Sequence, residues 1–531
     1  MPSLTETSGR GAGPSFGAEP PFVHAQGISK RFGAIQALDG VNFEVARGEI
    51  HVVLGENGAG KTSLMSVLTG LYQADAGEIL VDGRPVRITS PADALRLGIA
   101  MVPQHVELVN NLTVWENVIL GREQGGLFLR RDHQRQQVAE LAQRYDLPID
   151  PDAVVASLAA GQKQKVEILK MLHRQARLLI LDEPTTYLTP QEVDSLFGTL
   201  TSLVQRGMTV ILVTHKLRDA LRIGNRLTVM RGGRVVAAGV PASETDELQL
   251  VRWLIGGQDE TGQLLEAEPL PPLGSEAAPV LQVENLSVQV PGRVALRDIS
   301  LTVRAGEIVG LAGVAGSGQR ELAEALVGLL PTAGGRVLLN GTDITAWPVA
   351  HRLDAGLACI PEDRLREGIL PSMPIVETFV LGLHRYLFPD GRYRIGKALE
   401  AANRVIDEYK VKTPHAWFPT AALSGGNVQK VIVGRAVQMC SYHRHPALVA
   451  MNPTRGLDVR TVRDVHHRLR QVASQGGAVL LVSEDLDELM GNCHRIAVIY
   501  QGRVDAVFDG PDYDRYQIGE YMLGRHEREA G

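Results

Sequence analysis

The sequence predicts an α/β fold built twice along one chain, and three observations carry that prediction. First, the segment ARGEIHVVLGENGAGK at 46–61 returns as RAGEIVGLAGVAGSGQ at 304–319. Second, the spacing is constant. Gly55 and Gly313 lie 313 − 55 = 258 positions apart, and MVPQ, ending at Gln104, returns as CIPE, ending at Glu362, with 362 − 104 = 258. A period this long marks a duplicated domain, since solenoid repeats run to roughly 20–50 residues. Third, short leucine-rich and β-branched runs end in polar residues, as in LLILDEPT and VILVTHK. Continuous apolar runs of this kind belong to parallel strands covered on both faces. Ligands of such sheets bind at the carboxyl ends of strands, where these polar residues stand.

In chain order, residues 1–20 are rich in Gly, Ser and Pro without an apolar run, so they read as a disordered tail and not a signal peptide. The first domain is expected over 21–255. There EIHVVL forms a buried strand that runs into GENGAGKT, and KTSLMSVLTGLY forms a helix with Leu64, Leu68 and Leu71 on one face. Residues 256–278, with their Pro, Gly and acidic content, read as an exposed linker. The second domain is expected over 279–531.

Composition agrees with two soluble domains. The 531 residues exceed one ordinary core. Apolar residues make up 44% and charged residues 21%, an ordinary globular balance. A net charge of −6 argues against a nucleic-acid partner, because phosphate contacts need clustered Lys and Arg. Cys359, Cys440 and Cys493 are scattered, which suits reduced thiols and gives no disulfide framework. No apolar run approaches the roughly eighteen residues of a membrane span, so any membrane attachment is expected through a partner.

Gly55–Thr62 fits GxxxxGK[ST]. The glycines, Gly55, Gly58 and Gly60 with Asn57 between them, let backbone N–H groups face phosphate oxygens, and the following helix adds its positive end. Lys61 is placed to reach the β- and γ-phosphates of ATP, and Thr62 to ligate Mg²⁺. Asp182 at the end of LLILD suits the same Mg²⁺. Glu183 beside it suits a general base that takes a proton from the attacking water. His215, at the end of the next apolar strand, is placed to contact the γ-phosphate.

With these motifs in this order, the chain after its tail resembles an ATP-binding subunit of the ABC transporter family. Gly55–Thr62 looks like Walker A, Leu178–Glu183 like Walker B, Gln104 like the Q-loop residue that also faces Mg²⁺, and His215 like the switch histidine. LSGGN at 423–427 resembles the signature, ordinarily LSGGQ, and NPTRGLD places Asp458 in the D-loop. Phe32 falls where the family stacks an aromatic on adenine; otherwise it reads as a half-buried strand residue. The resemblance implies two tandem P-loop NTPase domains of the ABC type. Each would have a mainly parallel core, an antiparallel β subdomain and a helical subdomain. It also implies that the domains face head to tail within the chain, so that each nucleotide lies between the Walker motifs of one and the signature and D-loop of the other.

Scored by site, the departures from the family pattern segregate. One composite site joins Lys61, Thr62, Gln104, Asp182, Glu183 and His215 to Ser424, Gly425, Gly426 and Asp458, with Asn427 the only mild change. The other has Gln319 for the lysine, Arg320 for the hydroxyl, Met451 and Asn452 for the Asp-Glu pair, and Glu484 for the histidine. Its signature, from the first copy, reads LAAGQ with Ala159 in place of serine, and its D-loop has Thr189 in place of aspartate. Random decay of one domain would not strip the serine from the intact half. The expectation is therefore one working ATPase site and one crippled site.

Tandem ATPase domains of this kind, with PEDR at 361–364, LSGGN, PTRGLDV and TPQEV, resemble the subunits of simple-sugar and nucleoside importers. VEILKML and the PTRGLDV region are nearest the purine-nucleoside branch, with sugar close behind. The resemblance implies two transmembrane permease subunits, an extracytoplasmic solute-binding protein, and a peripheral position at the cytoplasmic face of the inner membrane. The alternative is a non-transport tandem ATPase of the ribosome, disfavoured by a short proline-bearing connector and the stripped site. Residues 130–147 read as a solvated helix of the helical subdomain. Cys440, His443 and His445 in CSYHRH match no standard zinc spacing and read as a surface loop.

Overall fold

The computed structural model describes residues 20–33, 35–104, 106–122, 130–186, 188–255, 269–274 and 277–524. The tail expected over 1–20, apart from Pro20, lies outside the described residues, as does the linker expected over 256–278 apart from 269–274, 277 and 278.

Each copy contains a six-stranded sheet and a four-stranded antiparallel sheet. In the first copy the larger sheet runs, in spatial order, Arg234–Pro241, Arg226–Arg231, Ile50–Gly55, Thr209–Thr214, Leu178–Asp182, Ile99–Val102. Its pairings are parallel except at the outermost strand, Arg234–Pro241, which pairs antiparallel. Ile50, Val52 and Leu54 point into one apolar cluster and Val53 into another. Leu179 and Leu181 likewise face one cluster while Leu178 and Ile180 face the other. Burial on both faces is why these strands read as unbroken apolar runs with no polar alternation.

One face is covered by the helices Val114–Ile119, Ala160–His173 and Pro190–Gln205. The other is covered by the helix Lys61–Leu68 and by the antiparallel sheet Ile35–Val45, Val23–Phe32, Ala76–Val81, Arg84–Val86. The helix after the glycine loop is shorter than its leucine spacing suggests. It ends at Leu68, Thr69 caps it, and Gly70 follows at φ 73°. Leu64 and Leu68 are fully buried, but Leu71 lies past the helix and is 58% exposed. The left-handed glycine ends the helix before the apolar period can continue.

The helix expected within 130–147 spans Arg131–Arg144 and buries only Gln134, Val138 and Ala142, so it is a solvated helix. It packs beside Val114–Ile119 and Ala160–His173. Thr113 starts Val114–Ile119 with a capping box, its hydroxyl and backbone N–H both bonding to the Glu116 carboxylate.

The second copy repeats the plan: Leu357–Ile360, Ala447–Met451, Ala478–Val482, Ile308–Ala312, Arg495–Tyr500, Arg503–Asp509, with the antiparallel sheet Leu296–Arg304, Pro279–Val288, Gly334–Leu339, Thr342–Asp343. The copies touch at two places that bear on function. The helix Arg515–Met522 of the second lies on Pro190–Gln205 of the first, where Gln191 Nε2 donates to the Tyr516 carbonyl at 2.7 Å. The second contact lies at the glycine loop. Among the described residues no helix is long and apolar enough to cross a membrane.

Candidate active site

The strand Ile50–Gly55 delivers the chain into the loop, and Gly60, at φ 100°, is the left-handed N-cap from which Lys61–Leu68 departs. A Cβ at Gly60 would lie 2.6 Å from the Ala37 carbonyl, so both the dihedral and the space require glycine. Lys61 is the first residue of the helix and is buried, its Nζ donating to the carbonyls of Gly55 at 2.7 Å and Glu56 at 3.1 Å. Burial pulls its pKa below the ordinary lysine range, against the opposing charges of Glu183, Asp182 and Glu56. The ammonium is thus held by two carbonyls in a nearly dry cradle surrounded by acids.

Behind the loop, Thr62 Oγ1 donates to Asp182 Oδ2 at 3.0 Å. Burial raises the Asp182 pKa, and Glu183 adds to the rise. Glu183 is the hub of the remaining residues. It sits at φ 48°, an uncommon conformation for a non-glycine residue. Its Oε1 meets His215 Nδ1 at 3.1 Å, and its Oε2 accepts from Gln104 Nε2 at 2.9 Å. The structure therefore gathers Lys61, Thr62, Gln104, Asp182, Glu183 and His215 at the carboxyl ends of adjacent strands.

Burial alone would raise the Glu183 pKa, but the hydrogen bond and charge of His215, with Lys61 and Lys216, hold it below the ordinary 4.5. A depressed carboxyl is ionised above its folded pKa, so Glu183 carries its charge through neutral pH and loses it only on acidification below that value. Its contribution to fold stability has the same sign: present above the unfolded value and lost as pH falls through the folded one. In His215→Ala the largest opposing cause is gone and burial dominates. The acid limb of the turnover–pH profile is expected to move to higher pH in that variant.

The second copy keeps the backbone and changes the groups. Gly318 is the N-cap at φ 114°, and Asn452 repeats the Glu183 backbone at φ 42°. Gln319 folds its amide back to the Val314 carbonyl at 3.0 Å. Arg320 pairs with Glu324 at 2.7 Å and also with Glu367. Asn452 Nδ2 and Arg455 Nη1 both donate to Glu362 Oε1, at 3.1 and 3.0 Å. Burial, with Glu362 nearby, raises the Glu484 pKa, while Arg455 opposes. Among the described residues no hydroxyl–carboxylate pair like Thr62–Asp182 stands there, and Arg320 and Arg455 are paired with Glu324, Glu367 and Glu362.

The copies meet at the first loop. Asn57 Nδ2 donates to the Leu457 carbonyl of the second copy's D-loop at 3.3 Å. The Asp458 carboxylate caps the helix Val459–Ser474, accepting from Thr461 N at 2.9 Å and Thr461 Oγ1 at 2.8 Å. Ser424 is the N-cap of the signature helix Gly425–Cys440, and its Oγ accepts from Asn427 Nδ2 at 2.8 Å. Ser424 and Gly425 are exposed and Gly426 is half-buried. Phe32 stands at the end of its strand, 40% exposed, edge-on to Tyr72 with ring centroids 5.0 Å apart.

Sequence reasoning missed Glu56. Its carboxylate has a buried Oε1 without a hydrogen-bond partner, and burial together with Asp458 across the interface raises its pKa. Its position inside the glycine motif gave no signal, because the motif leaves that residue free. The CSYHRH segment is the loop expected. Cys440 ends the signature helix with its thiol pushed up to about 12 by burial, His443 Nε2 bonds the Tyr386 hydroxyl at 2.7 Å, and His445 Nδ1 bonds the Gly476 carbonyl at 3.2 Å. Among the described residues no cluster of His, Cys, Asp and Glu could hold a metal ion in the manner of a zinc site.

The same two regions are singled out by comparison with known proteins. The family model for "ABC transporter" matches residues 38–186 and again 296–441. The guanosine import ATP-binding protein NupO of Bacillus subtilis is 41% identical over 511 residues, spanning 95% of this chain and 98% of the relative. The nucleoside import ATP-binding protein NupA of Lactococcus lactis is 37% identical, spanning 94% and 97%. A ribose import ATP-binding protein, RbsA 1 of Rubrobacter xylanophilus, is 39% identical, spanning 91% and 94%. A glycine loop between strand and helix in both copies, and a full-length likeness to transporter ATPases, lead to one conclusion: the chain belongs to the ABC transporter family, as an ATP-binding ATPase with two tandem domains.

Proposed function

We propose that the chain powers uptake of a nucleoside or simple sugar through two transmembrane permease subunits, using a single competent composite ATPase site. The observation that carries the one-site reading is the contrast between the two hubs. Glu183 is held between Gln104 and His215 beside the Thr62–Asp182 pair, whereas Asn452 is bonded to Glu362 and has no carboxylate to offer. The importer reading is supported by the relatives named for guanosine, nucleoside and ribose import, which also favour it over action on the ribosome.

At the competent site the loop from Gly55 to Thr62 takes the phosphates, and Lys61 leaves its two carbonyls for the β- and γ-oxygens. The residues fit Mg²⁺: Thr62 offers a hydroxyl, Asp182 a buried carboxylate whose raised pKa a cation would reverse, and Gln104 a free amide oxygen. Mg²⁺ supplies neutralisation of charge on the phosphate oxygens. Glu183, ionised and aimed by Gln104 and His215, accepts a proton from water as the water oxygen bonds to phosphorus, and ADP leaves. His215 holds the carboxylate in place and faces the γ-phosphate. Ser424, Gly425 and Gly426 close the site from the second copy, Phe32 lies flat against adenine, and Asn57 senses the D-loop through Leu457.

Closure on ATP and parting after hydrolysis then drive permeases docked on the helical subdomains. The chain works at the cytoplasmic face of the membrane, with a solute-binding protein delivering cargo on the far side. Reconstitution with its permeases in proteoliposomes tests this. ATP-dependent uptake of a labelled purine nucleoside or ribose supports it, and co-sedimentation with ribosomes without any uptake overturns it.

A further inference from the structure

The two signature helices begin beside differently placed charges. In the first copy, the helix Ala160–His173 has its Gly161 N–H bonded to Glu192 Oε1 at 3.1 Å. The same carboxylate, through Oε2, accepts from Thr189 N and Thr189 Oγ1. An anion belonging to the protein already occupies the positive end of that helix. In the second copy the counterpart of Gly161 is Gly426, since 161 − 159 = 426 − 424. The counterpart of Glu192 is Thr461, since 192 − 189 = 461 − 458. Thr461 gives its hydroxyl to Asp458 Oδ2, which lies 3.6 Å from the place a Cβ would take at Gly426. The carboxylate near this helix start is therefore the D-loop's own and already bonded to Thr461, not one bonded to the helix N–H as Glu192 is.

A cation stands there as well. The guanidinium of Arg364 lies against Gly425, with Cζ 3.3 Å and Nη2 3.4 Å from the place a Cβ would take. Its Nη2 is 3.2 Å from the corresponding place at Gly456 in the D-loop, and its Nη1 donates to the Arg455 carbonyl at 3.3 Å. One half-buried side chain thus bridges the start of the signature helix and the D-loop turn. Among the described residues Arg364 forms no ion pair within salt-bridge distance. Burial holds its pKa below the ordinary arginine value. Its counterpart in the first copy, two residues past Gln104 as Arg364 is two past Glu362, is the exposed Val106.

A guanidinium at the positive end of a helix is unfavourable by itself, and an arriving anion relieves it. On the one-site reading above, the γ-phosphate of a nucleotide held by Lys61 is that anion, and ADP lacks it. We propose that Arg364 is a positioning residue for the competent site: it fixes the signature relative to the D-loop and makes that edge selective for a triphosphate. Glycines at 425 and 456 leave the room its planar group needs, and Arg364 itself stands in the turn that follows the strand Leu357–Ile360. Arg364 therefore lets the copy without its own chemistry influence the site that has it.

The test measures ATP and ADP binding to the full chain carrying Glu183→Gln, so that turnover does not intervene. Adding Arg364→Ala is expected to weaken ATP binding by about tenfold, the scale of one charge-assisted contact, while ADP binding changes by less than about twofold. Arg364→Lys, which keeps the charge but loses the planar fork, is expected to fall between. Unchanged ATP affinity in Arg364→Ala overturns the proposal. So does an equal loss for ATP and ADP, which a merely structural role would give. Failure of the underlying one-site reading shows separately, as residual turnover in Glu183→Gln alone.

Discussion

Glu183→Gln lowers ATP turnover of the full chain by about 10²–10⁴, the range for removal of a positioned general base. Asn452→Ala, at the equivalent place in the second copy, leaves turnover within about twofold. The first figure corresponds to roughly 3–5 kcal/mol of barrier at 1.36 kcal/mol per decade. Glutamine keeps the size of the side chain and can still bond with Gln104 and His215, so the change would remove the proposed proton acceptor and little else. Asn452 has no such function to lose. Its amide bonds Glu362 and its carbonyl oxygen accepts from Glu484 N at 3.2 Å, contacts that organise a site without a base. Steady-state phosphate release from the two purified variants checks this. Comparable loss in both would mean that the second hub takes part in chemistry.

Gly426→Asp is expected to suppress turnover by a similar order, about 10²-fold or more, whereas Gly161→Asp leaves it within about threefold. On the proposed composite site, a carboxylate at Gly426 would stand where the γ-phosphate approaches the start of the signature helix. A Cβ there would be only 3.6 Å from Asp458 Oδ2, so the new charge also meets an existing one. At Gly161 the corresponding N–H already bonds a carboxylate, that of Glu192. A Cβ at Gly161 would press on Glu192 Oε1 at 2.8 Å, so some loss of stability is expected without loss of chemistry. Thermal unfolding measured beside the ATPase assay separates the two effects. The glycine whose replacement is expected to be harmful thus lies in the copy that lacks the lysine.

The fold and the first site were legible in sequence because their signals are local. The strand before the glycine loop and the two strands ending at Asp182 and Thr214 are continuous apolar runs buried on both faces, so pattern and structure agree. Lys61 and Thr62 follow from a motif whose spacing backbone geometry enforces. Leu71 misled because an apolar period does not register a left-handed glycine, and Gly70 ends the helix first. The side-chain partners were less legible. Nothing near position 192 announces that its carboxylate reaches Gly161, and PEDR does not reveal that Arg364 lies against Gly425 and Gly456. Such contacts join segments dozens of residues apart and are fixed by packing. The Asp458 side chain is similar: its motif suggests a role at the nucleotide, yet its carboxylate caps a helix while the preceding carbonyl reaches Asn57.

The central claim is that one reaction centre is assembled from both halves of the chain. It is tested most directly by counting and mapping the nucleotide arrested during turnover with vanadate and a photoreactive ATP analogue. A single shared centre gives one vanadate-dependent ADP per chain, cross-linked to peptides around Lys61 in the first copy and around Ser424 in the second. Two arrested nucleotides per chain, or labels confined to the loop and signature of a single copy, would contradict it.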